Sequence, residues 1–197
     1  MGPFALTLVA VLVLAAPPKP PVVSGSSKAG VKADAKVVAV EDPLCPGGST
    51  LETEKWGTDL RKFCARTSGE RHGPFIKIYT PTGTLQEKGN YHGGKLHGTW
   101  SKWDTRAVLR EQGEFHEGNK RGWWATFHAN GKKASTGEYG DFNQKRGTWT
   151  TWNEKGQVLE EGEYREGKKH GFWITYDPVS GKVKKETEYA NGVERRR

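Results

Sequence analysis

The chain has 197 residues, a formal net charge of +8, 34% hydrophobic and 11% aromatic residues, and 26 glycines. A compact enzyme domain draws about 45 to 50% of its residues from the apolar set, and only twelve Leu, Ile and Val occur from His72 onward, so an ordinary α/β enzyme is disfavoured. Disorder is disfavoured too, because disordered chains are poor in aromatics and this one holds eight Trp, six Tyr and seven Phe.

Phe4 to Ala16 form an apolar run interrupted only by Thr7. That is the length of a secretory signal core and shorter than the roughly 20 residues of a membrane-spanning helix. Residues 1–16 read as a signal peptide, and the protein as exported, periplasmic or secreted. An uncleaved amino-terminal membrane anchor is the alternative, since Met1-Gly2-Pro3 brings no Lys or Arg and Pro17 follows the expected cut. Residues 17–44 are rich in Pro, Ala and Lys without strand or helix period, and read as a flexible linker.

Cys45 and Cys64 are the only cysteines, and they bracket an 18-residue segment holding Trp56 and Phe63. In an exported chain such a pair is expected to form a disulfide. Zinc would need about four ligands, and no Cys-x-x-Cys or His-x-x-x-His spacing accompanies the pair. Residues 45–71 are therefore expected to be a small disulfide-closed cap ahead of the regular part of the chain.

Residues 72–192 repeat. Gly73, Gly98, Gly122, Gly147 and Gly171 are spaced by 25, 24, 25 and 24 residues. Two positions after each stands Phe75, Trp100, Trp124, Trp149 or Trp173, and three further on Ile78, Trp103, Phe127, Trp152 or Tyr176. Later in each unit come Gly89-Asn90-Tyr91, Gly113-Glu114-Phe115, Gly137-Glu138-Tyr139, Gly162-Glu163-Tyr164 and Thr187-Glu188-Tyr189. These columns hold 14 of the 21 aromatics, too many for chance placement.

Turn residues lie between the columns. Gly83, Gly131, Gly156 and Gly181 fall midway in their units, and Gly94, Gly118, Gly167 and Gly192 fall between units; such positions favour hairpin turns with positive φ. Arg106-Ala107 and Asn143 break this pattern. Each unit reads as strand, turn, strand, turn. The second-strand glycine is expected to leave room for a ring from the neighbouring strand. Trp100 and Trp103, three apart, should lie on opposite faces of a flat strand unless a bulge intervenes.

The runs Tyr91-His-Gly-Gly-Lys-Leu-His-Gly-Thr-Trp-Ser-Lys-Trp103 and Tyr164-Arg-Glu-Gly-Lys-Lys-His-Gly-Phe-Trp-Ile-Thr-Tyr176 resemble the MORN repeat, in the bacterial variant often described as a toxin–antitoxin antitoxin. Ile78, Thr187, Ala107 and Asn143 depart from the pattern. The resemblance implies an all-β fold: an elongated, single-layer antiparallel sheet of five stacked β-hairpins, used for binding and carrying no catalytic residues. Residues 193–197 form a basic tail.

No catalytic constellation emerges. His72, His97 and His170 share a column with Arg121 and Arg146, which cannot ligate a metal, and equivalent residues of successive two-strand units lie about 10 Å apart at roughly 4.8 Å per strand. Neither a metal nor a cofactor is expected. Glu114, Glu138, Glu163 and Glu188 form an evenly spaced column rather than a single acid–base pair. Arg195, Arg196 and Arg197 supply three of the eight net charges, so a nucleic-acid partner is disfavoured.

The expected function is a non-catalytic, extracytoplasmic scaffold that docks a protein of the cell envelope. Tyr79, Trp123, Phe142 and Phe172 are the candidate contacts, because they stand outside the repeat columns and aromatics anchor interfaces. A cell-wall glycan, an anionic membrane surface, or a toxin met by an antitoxin-like partner are the alternatives.

Overall fold

The computed structural model describes residues 40–195. The apolar run of residues 4–16, most of the expected linker and Arg196-Arg197 lie outside them. The described residues form one 14-stranded antiparallel sheet and no α-helix. The strands are β1 (Ser49–Trp56), β2 (Asp59–Arg66), β3 (Arg71–Tyr79), β4 (Thr84–His92), β5 (Lys95–Leu96), β6 (Gly98–Trp103), β7 (Leu109–His116), β8 (Asn119–Phe127), β9 (Lys133–Tyr139), β10 (Lys145–Trp152), β11 (Val158–Arg165), β12 (Lys168–Tyr176), β13 (Val183–Ala190) and β14 (Val193–Glu194). Spatial order follows chain order, except that short β5 pairs only with β4.

The five hairpins are β3–β4, β6–β7, β8–β9, β10–β11 and β12–β13. Ahead of them, the cysteine-bracketed segment is itself a hairpin, β1–β2, whose second strand pairs with β3. It extends the sheet rather than sitting apart from it. The Cys45–Cys64 disulfide forms, with Cα atoms 5.4 Å apart, and Cys64 is fully buried. The first two residues of the expected tail pair with β13 as β14.

Two register shifts recur. Inside each hairpin, one residue of the returning strand goes unmatched, as Arg110 does where Lys102 faces Glu111 but Trp103 faces Leu109. Such a bulge increases local twist. Between hairpins, the opening strand gains two residues over its neighbour: Gln112 faces Ala125, but Glu114 faces Arg121. Two is the period of a strand, so the alternation stays in phase and each hairpin returns its rings to the same face.

The repeat glycines sit in this widened stretch. Gly73, Gly98, Gly122, Gly147 and Gly171 have φ of 106, 76, 66, 61 and 65°, where an L side chain is strained. A Cβ at Gly98, Gly122 or Gly171 would meet nothing within 4 Å. Backbone conformation, not space, therefore selects glycine at those three positions, whereas a Cβ at Gly73 would also lie 2.7 Å from Pro46.

The two irregular turns have their own chemistry. Asp104 Oδ1 accepts the N–H groups of Arg106 and Val108, both at 3.0 Å, as Asn153 Oδ1 accepts those of Lys155 and Gln157 in a turn that keeps its glycine, and Ala107 takes the positive φ of 61° in the glycine's place. Between β9 and β10 the chain makes a short 3-10 turn, Asp141–Asn143. Asn143 Oδ1 accepts the Lys120 N–H at 2.6 Å and its Nδ2 donates to Asn119 Oδ1 at 2.9 Å, tying that turn to the one before.

Candidate binding surfaces

One face of the sheet carries a ladder of rings. Neighbouring centroids along Trp100, Phe115, Trp124, Tyr139, Trp149, Tyr164 and Trp173 lie 5.0 to 6.1 Å apart with interplanar angles of 80 to 88°. This edge-to-face arrangement matches the ring quadrupoles. Trp124, Trp149 and Trp173 are 2%, 6% and 3% exposed. Their indole N–H groups donate to the carbonyls of Glu114, Glu138 and Glu163 at 3.1, 3.1 and 2.9 Å. The tryptophan column is therefore a one-layer core with its polar atoms satisfied internally.

Each of these rings lies on the glycine of the preceding hairpin. A Cβ on Gly113 would fall 2.3 Å from Trp124, one on Gly137 2.1 Å from Trp149, and one on Gly162 2.3 Å from Trp173. The corresponding position of β13 is Thr187, and among the described residues no repeat tryptophan follows Trp173 to lie on it.

Cations cover the rings. Lys120, Lys145 and Lys169 stand 4.1, 4.1 and 3.8 Å from the centroids of Trp124, Trp149 and Trp173, and Arg71 stands 4.6 Å from Phe63. Burial holds the Lys145 ammonium below its usual pKa, assisted by the charges of Lys120 and Lys169. Burial likewise raises the Tyr139 and Tyr164 phenols.

Strand alternation places Trp123 and Phe172 on the opposite face. They are 49% and 51% exposed, and Phe142, at the tip of the 3-10 turn, is 82% exposed. Phe142 has φ 56°, a strained conformation for a bulky residue. Tyr79 is half-buried at the end of β3. The second aromatic column joins none of the ring contacts of the ladder, and Tyr176 instead donates its hydroxyl to Glu161 at 2.5 Å, which pushes its pKa up to about 12.

Sequence spacing missed one cluster. His72 of β3 and His97, between β5 and β6, lie on either side of β4, and His92 and His116 of β4 and β7 complete an unbroken row, with centroids 4.9, 5.6 and 5.0 Å apart. Only pairing between hairpins interleaves His92 and His116 with the repeat-column histidines. Among the described residues no three His, Cys, Asp or Glu side chains converge to hold a metal ion. Among the same residues, no helix is long and apolar enough to cross a membrane.

A single open antiparallel sheet of stacked hairpins, stapled by a disulfide at its first end and cored by a ladder of rings, defines an all-β repeat protein. The family described as "MORN repeat variant" matches residues 145–166, which cover the whole of the β10–β11 hairpin. That segment of the chain is a MORN repeat variant. No curated protein matches it significantly. Solved structures similar to it include TarM, at 14% identity and a TM-score of 0.29 over 75% of this chain and 21% of that one. Another is the pneumococcal O-GlcNAc transferase GtfA, at 14% identity and a TM-score of 0.22 over 65% of this chain and 20% of that one. The chain thus spans about a fifth of those proteins, and likeness at this level says nothing of its activity.

Proposed function

We propose that the protein is a non-catalytic binding scaffold, exported from the cytoplasm, whose sheet docks a protein partner of the cell envelope. The observation that carries this reading is the division of its aromatics. The repeat tryptophans bury one another, whereas Trp123, Phe172 and Phe142 stand exposed outside the columns. Large exposed rings are the side chains that anchor protein interfaces, and these three do not serve the core. The disulfide fits an oxidising compartment.

The test compares the wild-type chain with a Trp123→Ser, Phe172→Ser variant as bait in envelope extract, under oxidising conditions. A saturable partner captured by the wild type and lost from the variant, with melting temperature unchanged, supports docking through this face. Equal capture by both would overturn it.

A further inference from the structure

On the ring face, the cations above the rings follow a rule with one break. Arg71 pairs with Glu54 at 2.9 Å, Lys120 pairs with Glu111, and Lys169 pairs with Glu160 at 2.5 Å. Glu111 and Glu160 occupy the same repeat position, two residues before the glycine on which the next ring lies. In the hairpin between them that position is Ser135, and Lys145 has no carboxylate within ion-pair distance among the described residues.

The neighbourhood of Ser135 matches this break. Ser135 faces Thr126 on one side and Thr151 on the other, and its hydroxyl lies 2.7 Å from Thr126 Oγ1. The row that carries Lys102, Glu111 and Glu160 elsewhere is here hydroxyl throughout. Three ring-covering lysines thus share two carboxylates, which leaves one excess, partly buried cation in the hairpin boundary where the carboxylate position is a hydroxyl.

We propose that Lys145, with Ser135, Thr126 and Thr151, forms a carboxylate-binding site that takes an aspartate or glutamate side chain of a partner protein into the place Glu111 and Glu160 fill in the adjacent hairpins. The chemistry favours a carboxylate over a phosphate. One unit of positive charge is in excess, and Glu111 and Glu160 flank the site, so a phosphate dianion meets like charge on both sides. Burial and the charges of Lys120 and Lys169 lower the Lys145 pKa and outweigh the opposing charge of Glu160. This site rests on the protein-docking reading but lies on the face opposite Trp123 and Phe172.

The test uses the full chain labelled with 13C at the lysine ε carbon. The probe is a triglutamate peptide blocked at both ends, with triglutamine as the uncharged control and inorganic phosphate as the competing anion. The Lys145 resonance is expected to shift saturably with triglutamate and to stay in place with triglutamine. Ser135→Glu supplies the carboxylate from within the chain and should weaken the peptide response about tenfold or more. The absence of a saturable shift at Lys145, an unchanged midpoint in Ser135→Glu, or a tighter response to phosphate would each overturn the assignment. A negative result with capture through Trp123 and Phe172 retained removes this site and leaves the docking surface standing.

Discussion

Replacing Gly137 by alanine should be far costlier than the same change at Gly147, although both are glycines of the repeat pattern, on the paired strands β9 and β10. A Cβ at position 137 would lie 2.1, 2.2 and 2.4 Å from three ring atoms of Trp149, where ordinary contact begins near 3.4 Å. The ring would have to retreat by more than an ångström. It is held by its N–H bond to the Glu138 carbonyl, by Tyr139 at 5.2 Å and by Lys145 at 4.1 Å. Overpacking costs about 1–3 kcal/mol, the displaced hydrogen bond about 1 kcal/mol, and each weakened ring contact about 0.5–1 kcal/mol. The better strand propensity of alanine returns up to about 1 kcal/mol, which leaves a net loss of about 3 kcal/mol. At position 147 the only atom near an added Cβ is Glu138 Oε2 at 3.9 Å, so Gly147→Ala should cost only the left-handed backbone strain, about 1–2 kcal/mol.

Urea unfolding followed by tryptophan fluorescence measures both variants. Hydrogen exchange of β9 and β10 checks that the loss is local, since repeat arrays can unfold in parts. If Gly147→Ala proved as costly as Gly137→Ala, the steric account would be refuted. A Trp149→Val background gives a second check: there the added methyl at 137 should cost less than about 1 kcal/mol, because the ring it strikes is gone.

Cys45→Ser, or reduction, should destabilise the protein by about 3 kcal/mol in the chain-entropy account of a loop this size. The loss should concentrate in β1–β2, read as faster amide exchange there than in β10–β11. Asp104→Ala should cost about 1 kcal/mol at neutral pH by removing the acceptor of the turn's N–H groups. Burial alone would raise the Asp104 pKa, but the Val108 and Arg106 N–H groups and the Arg106 guanidinium outweigh it and hold it below the usual value. That stabilisation is fully present above the unfolded value of about 3.9 and disappears as pH falls through the lowered folded value. Wild type and variant should therefore converge in melting temperature at strongly acidic pH.

Much of the architecture is legible in the residues. The columns Gly98, Trp100 and Gly113-Glu114-Phe115 mark one hairpin each because every unit solves the same steric problem with the same residue types. The disulfide is legible because two cysteines bracket a short segment. The candidate surface is less so: Trp123, Phe142 and Phe172 stand out only as departures from the columns, and departure from a repeat does not reveal what a side chain faces.

What the sequence by itself determined is the repeat, its period, the turn positions and the staple, since these follow from backbone sterics acting within a few residues. What only the tertiary structure decided is contact between hairpins. The two-residue widening at each repeat glycine sets which ring covers which glycine, interleaves His92 and His116 with His72 and His97, and sets Ser135 between Thr126 and Thr151. Cross-strand neighbours depend on register, and register is fixed by pairing and bulges distributed over the whole sheet, which a period along one strand does not encode.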